Sequence, residues 1–166
     1  MVNIRKILLG IISSLVIVLI IFYLFPNQEK KIQKKLDSLE DLVSKSQKES
    51  GATLLYKMNQ FQMLFAEECE IDLTEDFAKG IFSSSELTTL CFKFRADCLS
   101  IKLYFSDKEI DLLSESMAKV KLAASLVMLL DSGEKVFETK EIVSGLRKIK
   151  KQWFFCFFKE VKIIEK

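Results

Sequence analysis

The hydrophobic pattern changes character four times along the chain. From Ile7 to Phe25 there is no period at all: 19 residues pass without a charge, softened only by Gly10, Ser13, Ser14 and Tyr23. At about 1.5 Å rise per residue such a run reaches roughly 28 Å, the thickness of a bilayer's hydrocarbon layer. Arg5 and Lys6 precede it and Pro26-Asn27 end it. Its close, Ile21-Phe22-Tyr23-Leu24-Phe25, is bulky throughout and offers no small-residue cleavage site. Residues 7–25 are therefore expected to be an uncleaved transmembrane anchor, with residues 1–26 as tail plus anchor and 27–166 as one folded domain.

Beyond Pro26 the pattern turns helical. Ile32, Leu36, Leu39 and Val43 recur at spacings of 4, 3 and 4 within Gln28 to Lys48. This segment is either a coiled-coil stalk or the first helix of the domain; barely two heptads favour the latter. Glu49-Ser50-Gly51 breaks it, and Ser50 or Thr53 caps a second helix over Thr53 to Glu67, with Leu54, Leu55, Met58, Phe61, Leu64 and Phe65 as its stripe. The period then falls to two: Cys69, Ile71 and Leu73 alternate with Glu68, Glu70 and Asp72 in a short strand. Ser83 and Glu86 form the capping box of a third helix whose buried face is Leu87, Leu90, Cys91 and Phe94.

The remainder reads as strands. Leu99, Ile101, Leu103 and Phe105 alternate, with a bend or bulge at Ser106-Asp107 before Ile110 to Leu113. Met117 to Leu130 follows, apolar on both faces from Leu126 onward. Asp131-Ser132-Gly133-Glu134 is a hairpin turn, and Lys150-Lys151 joins Lys135–Ile149 to Gln152–Ile164. Trp153, Phe155, Phe157 and Val161 are in phase on the last strand. Three helices followed by an antiparallel meander predict an α+β domain, its helices packed on one face of a curved antiparallel sheet.

Composition narrows the chemistry. The chain of 166 residues is 49% hydrophobic with a formal net charge of +2, which excludes disordered and nucleic-acid-coating classes. Of the 25 Lys and Arg, only Arg5 and Lys6 precede residue 27, so the domain carries 23 bases against 23 acids, and nucleic acid is not an expected partner. There is no His, so no Ser-His-Asp or Cys-His site exists in this chain, and no glycine-rich phosphate loop occurs. No cofactor and no metal are expected. Cys69, Cys91, Cys98 and Cys156 lack paired spacing and read as small core residues, the alternative being a Cys91–Cys98 bridge.

The acidic–apolar strand Glu68-Cys69-Glu70-Ile71-Asp72-Leu73, the Ser-rich capped helix, and the closing Leu146-Arg147-Lys148-Ile149-Lys150-Lys151-Gln152-Trp153-Phe154-Phe155 together resemble the nuclear transport factor 2-like superfamily over residues 28–166. The resemblance implies a cone: a strongly bent sheet wrapped against three helices, in a bacterial inner-membrane protein of the anchored kind. Members include isomerases, dehydratases, cyclases and assembly modules. No catalytic motif transfers, because the Asp, His, Tyr constellations of the enzymes find no match here.

Two functional readings follow. The first is a non-catalytic binding or assembly module held in the membrane by residues 7–25, its domain outside the cytoplasm, with a homodimer through the sheet face or a small apolar ligand as partners. The second is an isomerase-, dehydratase- or cyclase-type enzyme using a buried carboxylate, the candidates being Glu138, Asp72 and Glu70. A further reading makes Arg147, Lys148, Lys150 and Lys151 a contact for acidic lipid headgroups or nucleic acid.

Overall fold

A computed structural model of the chain describes residues 28–73 and 79–161. The apolar run Ile7–Phe25, its basic tail, the boundary at 26–27 and the end of the last strand toward Ile164 lie outside the described residues. Among the described residues no helix is long and apolar enough to cross a membrane.

Helix α1 (Gln28–Val43) buries Ile32, Leu36, Leu39 and Leu42. The expected Val43 is only half-buried, and Leu42 takes its place on the face. The helix stops well before Lys48 because the chain turns out to the sheet edge: Lys45 exchanges both backbone hydrogen bonds with Ile101, at 2.8 and 3.0 Å. This is the first helix of the domain, packed on the sheet, rather than a stalk. Helix α2 (Gly51–Gln62) begins where Ser50 accepts from the Thr53 amide at 3.1 Å. It ends at Gln62 instead of Glu67, since Leu64 and Phe65 are drawn into strand pairing; the Phe155 amide donates to the Leu64 carbonyl at 2.9 Å. Leu55, assigned to the buried stripe, is 65% exposed.

Strand β1 (Phe65–Asp72) forms a hairpin with β2 (Lys79–Ser83), a five-residue strand that carries no alternation signal in the sequence. The capping box is present as expected at the start of α3 (Ser84–Ala96). The buried face of α3 is Leu87, Cys91 and Arg95, so a charged residue stands where Phe94 was expected and Leu90 faces solvent.

Strands β3 (Cys98–Leu112), β4 (Met117–Leu130), β5 (Lys135–Ile149) and β6 (Gln152–Glu160) form the meander. The bulge falls at the expected place: the β3–β4 register shifts between Ser106 and Glu109, with Asp107 at φ 50°. Lys150 and Lys151, at φ 47° and 70°, make the two-residue turn whose twist suits a hairpin.

The sheet order is β2-β1-β6-β5-β4-β3. The expectation of a wholly antiparallel sheet is corrected here, because β1 pairs with β6 in parallel. The first strand and the last become neighbours across the whole chain, which local pattern does not encode. A second correction concerns β6. Its register with β5 shifts at Gly145/Leu146, so the buried phase passes from Trp153 and Phe155 to Phe158, leaving Phe157 and Val161 off the inner face.

The core lies between the concave face of the sheet and the three helices. Phe61, Phe65, Phe155 and Phe158 stack with ring centroids 4.8–6.3 Å apart. Around them pack Ile32, Leu36, Val120, Leu146 and Trp153, all at most 2% exposed. One face of the two-faced apolar stretch of β4 packs into a second, smaller cluster of Cys98, Ile101 and Met128, with Leu126 and Leu130 against it, while Val127 on the other face is 37% exposed.

Candidate functional site

Strand alternation decides which way each candidate carboxylate points. On β5, Ile142, Ser144 and Leu146 are buried, so the residues in phase with them, Glu138 and Lys140, share the concave face. The register opposes Glu138 to Leu126 and Lys140 to Ala124 on β4, and Ile142 to Glu160 on β6. Lys140 therefore stands between two acids, 3.0 Å from Glu138 and 3.6 Å from Glu160. Burial alone pulls the Lys140 ammonium down, but the two carboxylates outweigh it and hold its pKa above the ordinary lysine value.

Asp72 and Glu70 stand elsewhere. Asp72 is 3.1 Å from Lys79 at the β1–β2 hairpin, and Glu70 is 3.0 Å from Lys159 across the parallel β1–β6 pair. Both side chains are more than two-fifths exposed. The structure does not bring the three carboxylates together. The sequence reading missed Lys140 and Glu160, although the period-2 phase Glu138, Lys140, Ile142, Ser144 was the signal that places the first two inward.

A groove of about 950 Å³ opens on another side of the molecule, between α1, α2 and the β5–β6 turn. Lys31, Lys34 and Lys35 line one wall, Tyr56 and Met63 another, and Lys151 with Trp153 closes the end. Partial burial holds the Lys35 amine below its usual pKa, and its ammonium lies 5.4 Å over the Phe154 ring.

The thiols are poor nucleophiles. Burial, reinforced by Cys156 and Glu70, pushes Cys69 up to about 12. Burial raises Cys91 to about 11 despite the opposing charge of Arg95. Thiolate, the reactive form, is scarce at such values. All four cysteines are free. The alternative Cys91–Cys98 bridge is corrected: Cys91 packs in the main core and Cys98 in the second cluster. Among the described residues no group of three His, Cys, Asp or Glu is placed to hold a metal ion.

No protein-family model matches the sequence, and no curated protein matches it. Solved structures do resemble it. A candidate scytalone dehydratase from Novosphingobium aromaticivorans superposes with TM-score 0.66 at 14% identity, over 82% of this chain and 85% of the other. The Kfla4162 protein from Kribbella flavida gives 0.67 at 8% identity, over 80% and 88%. The association domain of CaMKII from C. elegans gives 0.59 at 12% identity, over 81% and 95%. These likenesses establish the fold, the α+β cone of three helices on a curved sheet.

Proposed function

We propose that this domain is a non-catalytic binding or assembly module, tethered by Ile7–Phe25 to a bacterial inner membrane with the domain outside the cytoplasm. The observation that carries the reading is the filling of the cone. Phe61, Phe65, Phe155 and Phe158 occupy the space between helices and sheet that a substrate pocket would need, and a small apolar ligand would have to displace them. Function then falls to the outer surfaces. On the convex sheet face Phe137 is 66% exposed, directly opposite Val127 in the register, with Tyr104 exposed two strands away. Such a patch suits a second copy of the chain. The similar CaMKII domain is an association domain by name, which supports assembly as a use of this fold. The test is the mass of the full chain in detergent by light scattering, with and without Phe137→Asp. A dimer reduced to a monomer by the substitution is expected; a native monomer at high concentration overturns assembly through this face.

The rival enzyme reading rests on Glu138, which shares the concave face with the core. Its carboxylate is already engaged by Lys140 at 3.0 Å, which leaves less of it to serve as a base. A thermal-shift screen of the full chain with small cyclic ketones and enones discriminates the two. Stabilisation that Glu138→Gln abolishes would favour the enzyme.

A further inference from the structure

Two contacts tie the start of α1 to the tip of the last hairpin. The Trp153 indole Nε1 donates to Gln28 Oε1 at 3.0 Å, across 125 positions of sequence. The Lys35 ammonium rests over Phe154. Together they place Lys31 and Lys34 of the helix in the same groove as Lys151 of the turn, with Lys150 beside it. Two acids of α1 line the same groove: Asp37 is paired with Lys108 at 3.3 Å, and Asp41, 76% exposed, lies 3.9 Å from Lys57. Among the described residues, none of Lys31, Lys34, Lys150 and Lys151 has a carboxylate within salt-bridge distance, and all four are exposed. A domain with balanced charge thus carries a local basic face.

That face lies where the chain meets its apolar run. Gln28 opens α1, and Phe25 closes the run three residues earlier. Three residues reach at most about 10 Å, roughly one headgroup layer. Tyr56 and Met63, 64% and 53% exposed, stand on the groove wall as amphipathic and apolar side chains of the kind that settle at a membrane interface.

We propose that this groove is a docking face for anionic lipid phosphates, by which the domain lies down on the bilayer it is tethered to. The proposal deepens the module reading and rests on its tether. Each lysine near an anionic surface is worth about a fivefold gain in partitioning, so three or four fix an orientation.

The experiment is lysine acylation footprinting by mass spectrometry on the full chain in nanodiscs, either all phosphatidylcholine or with roughly a third phosphatidylglycerol. In the anionic discs Lys31, Lys34 and Lys151 are expected to label severalfold more slowly, with the protection lost at about 0.5 M salt. Lys102 and Lys121, on β3 and β4, should label equally in both. A chain that enters both discs but labels equally in both overturns the docking and leaves the tether standing. A chain that fails to enter neutral discs, yet is captured and protected by anionic ones, supports the basic face and removes the tether. Protection reproduced in neutral discs by inorganic phosphate assigns the groove to free anions and overturns the lipid proposal. In the double substitution Lys31→Gln/Lys34→Gln, protection of Lys151 should fall severalfold; unchanged protection overturns it too.

Discussion

Arg95 and Glu49, 46 residues apart, form a buried ion pair, with side chains 1% and 5% exposed. The other arm of the guanidinium donates to the carbonyls of Leu42, Val43 and Ser44, the open end of α1. One cation therefore closes a helix terminus and joins α1, the α1–α2 link and α3. Arg95→Leu leaves a buried carboxylate and several carbonyls without it, and should cost about 3–5 kcal/mol in denaturant titration. Arg95→Lys should recover only part, because an ammonium lacks the two-armed geometry. A loss under about 1 kcal/mol for Arg95→Leu would show that the pair is not integral to the fold.

Gly145 lies opposite Phe157 in the sheet, and the ring covers it. A Cβ built on Gly145 would stand 2.0 Å from the ring's Cε1. Gly145→Ala is expected to cost about 1–3 kcal/mol by overpacking. In a Phe157→Ala background the added cost of Gly145→Ala should vanish, as a double-mutant cycle would read.

Trp153 is the chain's one tryptophan and is 2% exposed. Trp153→Ala should cost about 3–5 kcal/mol. Trp153→Phe keeps the packing but loses the donor to Gln28, at about 1 kcal/mol. Native emission should be blue-shifted and move to the red on unfolding; an exposed-type native spectrum would contradict the packing described.

Ser144 is fully buried, and its hydroxyl has no hydrogen-bond partner among the described residues. An orphan hydroxyl is a desolvation cost without return. Ser144→Ala should be neutral or stabilising by up to about 1 kcal/mol, read as a raised unfolding midpoint; a clear loss would reveal a partner for that oxygen.

The buried thiols set an alkaline limit on stability. Cys69 loses its proton at about 12 in the fold, against an ordinary value of 9.0. The unfolded chain ionises first, so stability is intact below pH 9.0 and falls as pH rises from there toward about 12. Cys91 acts in the same sense over a shorter window, up to about 11. Cys69→Ala should flatten the alkaline arm of a pH–stability curve. In thiol titration at mildly alkaline pH, the native protein should expose its four cysteines fully only after denaturant is added.

Much of the architecture was legible because it is written locally. The Ser50 and Ser83 caps, the Asp107 bulge, the Lys150-Lys151 turn and the burial of Trp153 each depend on a few adjacent residues and their side-chain chemistry. The candidate site was legible only in part. Glu138 was singled out from its place in a strand, and Lys140 shares that strand's period-2 phase, whereas Glu160, the second acid beside Lys140, needed the register between β5 and β6 to be known.

By itself the sequence determined the three helices, the long strands and an apolar run of bilayer length, since period, caps and turn residues act over one or two turns of chain. Tertiary structure alone decided that β1 inserts beside β6 in parallel, that Arg95 turns inward to meet Glu49, and that the helix lysines share a groove with those of the last turn. The physical reason is common to all three. Each joins segments tens to more than a hundred positions apart, where the partner is chosen by which surfaces the packed core leaves facing one another rather than by any neighbour in sequence.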